Sequence, residues 1–332
     1  MDCTADNQGK NRNHMWLRLV VYSIFGLAVL LLPMLVQSNY WIYMFTMVGI
    51  FMILVSSLDL IYGYTGMVSL AHAAFFGIGA YSSAILQVKL GAPIIPALIA
   101  GTMITTCIAA VIGWPMLRIR GPYFVLGTLA IGIAISIIIH NWDSLTGGVS
   151  LAGIPMLPAV QVMGLTIDFS SRGVFYYVIV VFLVLTQLLI HRVVNSRTGR
   201  AFASIRENEN LAEALGMNVS RYKLISFVTA CTIAAFVGGL YANYMEAIEP
   251  GIVGAHMSFN LLVMIVVGGT RTIAGRILGP LLLWFVPEFL EAAQTYRPLF
   301  FGLILIVVII FMPMGIAGRI RSLHPRMAKW IP

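Results

Sequence analysis

The chain has 332 residues, 60% of them apolar and only 10% charged, whereas soluble domains carry about 25% charged residues. Its net charge of +8 comes from 20 Lys and Arg against 12 Asp and Glu, spread along the chain rather than gathered into a nucleic-acid-binding patch. Such a composition excludes a soluble enzyme and leaves a chain that lives in a bilayer, where each span takes about 20 mostly apolar residues.

Residues 1–16 form a polar tail containing Asp2, Asp6 and Lys10. Ten apolar segments follow, at approximately 17–36, 40–60, 63–88, 92–117, 123–140, 174–194, 222–245, 257–270, 277–293 and 298–317. No Ala-x-Ala cleavage pattern follows the first, so it reads as an uncleaved span. Threading the segments in alternation puts 17 of the 20 Lys and Arg on one side. Only Lys89, Arg172 and Arg297 fall on the other. Lys and Arg concentrate in cytoplasmic loops, where they set topology and meet anionic lipid, so both termini are expected in the cytoplasm. The expected fold is all-α and polytopic, with about ten transmembrane helices. Its domains are the cytoplasmic N-terminal tail 1–16, a transmembrane domain 17–317 and a cytoplasmic C-terminal tail 318–332. Ten spans also divide into two sets of five of opposite orientation, a recurring transporter design. Of the cysteines, Cys107 and Cys231 lie within spans and read as small apolar packers.

The stretch from Asp59 to Leu86 is crowded with Gly, Ala and Ser. Small residues let helix backbones approach closely, and they also allow a helix to break where neighbours satisfy the freed backbone. Gly63 and Gly66 therefore mark either a hinge or re-entrant turn of a substrate pathway, or simply a tight contact. Ser69 and His72 lie in the same stretch. An ionisable residue inside a span is a functional candidate; His72 either lines a polar pathway or is bonded, neutral, to a neighbouring helix. Asp59, near the inner end of the second span, is either an interfacial anchor or a partner for a basic residue and carries no assigned role.

Two loops are long. Residues 141–173 lie outside and are broken by Gly147, Gly148, Gly153, Pro155, Pro158 and Gly164. They either pack across the mouth of the bundle or rest on lipid headgroups. Residues 192–221 lie inside and are the most polar part of the chain. Apolar positions such as Phe202, Ile205, Leu211 and Leu215 recur there at helical spacing. Asn208 to Asn210 offer a helix start and Gly216 a stop. This is the pattern of two short helices that dock a cytoplasmic partner; a merely solvated loop is the alternative.

Asn260 falls in the eighth span and joins the pathway candidates. Glu288 and Glu291 share a face of the ninth, beside Arg297. They form either a proton path or an interfacial ion pair. Glu246 and Glu249 are external. No catalytic triad, metal-ligand cluster or Gly-x-x-x-x-Gly-Lys-Ser/Thr phosphate loop is present in the sequence. No enzymatic activity, cofactor or metal is expected, and any ATP would be bound by another subunit.

Five stretches, in order, resemble branched-chain amino acid ABC transporter permeases, most of all the M-type members. They are Gly63–Tyr81 (GYTGMVSLAHAAFFGIGAY), Arg118–Ala130 (RIRGPYFVLGTLA), Leu145–Pro155 (LTGGVSLAGIP), Thr198–Asn218 (TGRAFASIRENENLAEALGMN) and Val266–Pro280 (VVGGTRTIAGRILGP). The resemblance departs at Arg271 and Arg276 in the late turn. In the coupling loop, Ala212 and Gly216 keep the family spacing, but Asn210 stands at the leading acidic position. The resemblance implies a subunit of an importer in a bacterial inner membrane, with a second related permease, cytoplasmic ATPase subunits and an external or periplasmic binding protein as partners. It implies that Arg206, Glu207, Glu209, Glu213 and Gly216 belong to the ATPase-coupling surface. Urea, short amides or other amino acids remain alternative cargoes, and an ion-coupled carrier the alternative class.

Overall fold

The computed structural model describes residues 38–289, apart from 120, 158–159, 163–164 and 168–170, together with residue 33 and a few positions after 301. The expected spans 17–36 and 298–317, with Glu291 and Arg297, lie outside this description, as does the side chain of Glu288. Within it the protein is a helical bundle. The helices of six or more residues are α1 (Asn39–Asp59), α2 (His72–Leu90), α3 (Ile94–Met116), α4 (Pro122–Asn141), α5 (Arg172–Val194), α6 (Arg197–Glu207), α7 (Glu209–Ala214), α8 (Val219–Met245), α9 (Ala255–Gly268) and α10 (Ile273–Phe289). Six are long and apolar enough to cross a membrane, and α9 and α10 are shorter apolar helices. They coincide with the second to ninth segments expected from the sequence. The chain is a multi-pass membrane protein.

α1 is the axis of the bundle. Its apolar window is 94% buried, against 28% for α4 and α5. Ile50, Ile53, Leu54 and Leu58 of α1 meet Ile179 of α5, Val237 of α8 and Leu261 and Ile265 of α9 in the largest core cluster. α3, α4 and α5 turn Ile99, Met103, Ile133, Ile137, Val181 and Val184 outward, as lipid-facing helices do. α2 and α8 cross at backbone contact. A Cβ on Gly79 would enter the Ala235 backbone, and one on Gly238 would enter the Phe76 carbonyl. This is the close approach that small residues permit.

One boundary differs from the sequence reading. The third span was expected from 63 to 88, after a link at 61–62. Instead α1 continues through a π-helical turn, Leu60–Tyr64, and α2 begins only at His72. Hydroxyls loosen the end of α1 by bonding back onto it, Ser56 to the Met52 carbonyl (2.6 Å) and Thr65 to that of Ile61 (2.5 Å). Gly66 then adopts φ +75°, which side-chain-bearing residues reach only with strain. Residues 66–71 are the resulting non-helical return.

The connection 141–173 packs onto the bundle. Strand β1 (Leu151–Ala152) pairs antiparallel with β4 (Ala247–Ile248), and β2 (Val160–Val162) pairs with β3 (Leu165–Ile167). Leu151 and Ile154 are buried against Tyr81, Ala84, Ile248 and Val253. Asn243 of α8 ties the loop down, donating to the Pro155 carbonyl (2.7 Å) and exchanging amide bonds with Gln87 of α2.

At the opposite end lie α6 and α7, the two short helices read from the sequence. Ser196 caps α6, Asn208 caps α7 by accepting from Leu211 N (3.0 Å), and Gly216 follows the last turn at φ +85°. Gly199, Ala201, Phe202 and Ile205 form the buried face of α6. Phe202 is fully buried among Leu60, Ile61, Met67, Phe75 and Phe227. Burying such a ring contributes about 2 kcal/mol, which seats α6 directly beneath the break in α1 and α2.

Candidate functional site

The break between α1 and α2 exposes backbone groups that a continuous helix would satisfy itself. Non-helical backbone at membrane depth is tolerated only where protein or enclosed water serves it. Here four other elements serve it. Ser226 of α8 donates to the Leu60 carbonyl (3.0 Å). Arg206 of α6 donates a guanidinium N–H to the Gly63 carbonyl. Thr128 Oγ1 of α4 accepts from Leu70 N (3.1 Å), and Ser258 Oγ of α9 accepts from Ala73 N (3.3 Å). The break is thus a junction on which α4, α6, α8 and α9 converge.

Gly63 sits at its base. A Cβ there would collide with the Asp59 carboxylate, so only glycine lets the π turn close over that group. Asp59 is fully buried. It accepts from the Arg271 backbone N–H at 3.1 and 3.2 Å and lies 3.6 Å from the Arg276 guanidinium. Arg276 is itself 5% exposed, and its Nη1 has no hydrogen-bond partner. The Arg271 guanidinium lies over the Tyr64 ring at 5.9 Å. The turn between α9 and α10, at Gly269–Thr272, is therefore tied to the end of α1.

His72 is buried, and its Nε2 lies 2.8 Å from Ser57 Oγ. That is a helix-to-helix bond. Ser69 is buried within the break, and its hydroxyl has no partner. Asn260 lies apart from this group. Its side chain faces outward on α9, with Nδ2 3.3 Å from His256 Nδ1.

A cavity of about 500 Å3 opens below the break, lined by Thr65, Gly66, Met67, Pro122, Arg206 and Lys223 among others. Lys223 of α8 pairs with Glu209 of α7 at 2.6 Å, holding α7 against the bundle. Glu207, Leu211, Glu213, Leu215 and Gly216 form the exposed side of α6 and α7. Of the five coupling candidates, Arg206 thus points its guanidinium into the bundle and Glu209 grips Lys223, while Glu207, Glu213 and Gly216 face away. No group of metal-ligating side chains occurs among the described residues.

Thr128 and Ser57 went unmarked in the sequence, since one threonine or serine in an apolar helix is ordinary; Asp59 was marked as a candidate partner for a basic residue, but not which one. His256 and Ser258 did leave a signal, as polar residues two apart at the start of an apolar segment that also holds Asn260.

Residues 40–312 match the family described as branched-chain amino acid transport system, permease component. The chain is 28% identical over 297 residues to the high-affinity branched-chain amino acid transport system permease protein LivM of Escherichia coli K12, covering 83% of this chain and 69% of that one. It is 31% identical over 278 residues to the corresponding LivH of Salmonella typhimurium, covering 78% and 88%. It is 22% identical to a probable LivM of Methanocaldococcus jannaschii, covering 85% and 94%. No solved structure matches.

Proposed function

The chain belongs to the family of branched-chain amino acid transport permease components, and from that premise we propose that it lines the membrane path for leucine, isoleucine or valine in a bacterial inner membrane. As a permease subunit of an ABC importer it takes its substrate from an external binding protein and its drive from two cytoplasmic ATPase subunits. Both LivM and LivH are named as permease proteins of a high-affinity branched-chain amino acid transport system, and this chain resembles each. A second, related permease therefore stands beside it. In this reading the chain spans the membrane ten times with both termini in the cytoplasm, and α6 and α7 face the ATPases.

The observation that carries the reading is the bond from Arg206 to the Gly63 carbonyl. It joins an amphipathic helix with an outward polar face to the one place where the bundle axis is broken. ATP binding in the partner subunits displaces α6 and α7, and Arg206 passes that displacement to the break at Gly63 and Gly66. The spans then rock between inward- and outward-open states. Ser69 and Asn260 contribute polar groups to the path, and His72 holds the break in place through Ser57.

The test is uptake of labelled leucine in cells with and without this gene, the other subunits intact. Loss of ATP-dependent uptake on deletion is expected. Unchanged uptake would move the cargo to urea, amides or another amino acid.

A further inference from the structure

The second half of the chain holds another non-helical segment, running inward from the end of the bundle that carries Lys89. After α8 ends at Met245, residues 246–254 form β4 and a short 3-10 turn, Pro250–Val253, before α9 starts at Ala255. A Cβ on Gly77 of α2 would run into the Val253 side chain, and Ser258 meets the first turn of α2 at Ala73. α2 then runs on to Leu90, about 25 Å beyond residue 73 at ~1.5 Å per residue. In the other direction α9 runs from His256 to Gly268, about 18 Å. His256 therefore lies about 20 Å from either end of the bundle, near the middle of a hydrocarbon layer about 30 Å thick.

His256 and Phe259 are exposed and Asn260 is partly so. At i, i+3 and i+4 they share one face of α9. The opposite face, Ser258, Leu261, Met264 and Ile265, is the one buried in the bundle. His256 and Asn260 are within hydrogen-bond distance of each other. An imidazole and an amide at this depth do not face lipid. Ionisable groups there turn to a bundle interior or a water-filled space. Among the described residues the packed interior is on the other side of α9, so the space lies outside the described bundle.

We propose that the His256–Phe259–Asn260 face of α9 is the wall this subunit gives to the transport path, completed by the second permease, and that it takes a small amino acid in passing. The Asn260 amide and the His256 ring each offer an N–H donor to its carboxylate. Phe259, between them, offers apolar surface to its hydrocarbon side chain. The idea deepens the importer reading above and rests on it for the identity of the cargo.

The test uses the complete importer in proteoliposomes, with Cys3, Cys107 and Cys231 replaced by Ser. Single cysteines are placed at His256, Asn260 and, as a lipid-facing control, Val184. A membrane-impermeant methanethiosulfonate is expected to modify positions 256 and 260 but not 184, and excess leucine with its binding protein to slow the modification. His256→Leu, which a lipid-facing position would accept, is expected to lower uptake about tenfold in assembled complex, and His256→Gln to recover part of it. Inert cysteines at 256 and 260 with normal uptake by His256→Leu would overturn the proposal. Inert cysteines with a complex that His256→Leu dissociates would overturn it too, by making this face a dry subunit contact. If the unaltered importer ignores leucine, the cargo reading fails, and modification at 256 and 260 still decides whether the face is wetted.

Discussion

Asp59 and Arg276 are 217 positions apart in sequence and meet in a buried pair at 3.6 Å. Neither is placed by pattern alone, because a charge near the end of an apolar segment reads as an interfacial anchor until the fold brings its partner. A buried pair adds little net stability when intact, but removing one partner strands the other charge and costs about 3–5 kcal/mol. Asp59→Asn keeps an acceptor for the Arg271 N–H and removes only the charge. It is expected to lower the melting midpoint of the purified complex, and Arg276→Met added to it to restore part of the loss. A midpoint equal to wild type for Asp59→Asn alone would show that the pair carries nothing. His72 was legible in the sequence as an intramembrane ionisable residue. Its bond to Ser57 was not, since nothing in a run of Ser and apolar residues tells which hydroxyl a histidine will find.

The helices themselves were read well from apolar length, and the break between α1 and α2 was the exception. Gly63 and Gly66 marked its position, but the run from Gly63 to Ala71 stays apolar enough to pass as helix. What decides against helix is not local. Thr128, Ser226, Arg206 and Ser258, from four other elements, take the backbone groups the break leaves open. α6 is the only one of these elements on the polar surface, so Arg206 is the group through which a partner could act on the break. Arg206→Gln keeps a shorter donor with no charge and leaves the outward faces of Glu207 and Glu213 untouched. The ATPase subunits are expected to co-purify with this variant as with wild type, while leucine transported per ATP hydrolysed falls several-fold. An unchanged transport-to-ATP ratio would mean that Arg206 only braces α6, and loss of co-purification would mean that it belongs to the docking face after all.

The two non-helical segments enter the bundle from opposite ends, residues 66–71 from the α6–α7 end and residues 246–254 from the Lys89 end. The helices that follow them, α2 and α9, meet where Ala73 bonds to Ser258. One break in each half, of opposite sense, is what two sets of five spans in inverted orientation would produce. That arrangement requires the Lys89 end and the α6–α7 end to lie on opposite sides of the membrane, and the Lys and Arg distribution makes the Lys89 end the expected external one. Gly91, in the α2–α3 turn, and Leu215, after α7, are both exposed and lie at the two ends. With the native cysteines removed, a cysteine at Gly91 is expected to react with an impermeant maleimide in intact spheroplasts. One at Leu215 is expected to react only in inverted vesicles. Labelling of both from one side would break the alternation. It would also place the two breaks in parallel rather than inverted halves, since an even number of crossings would then separate them.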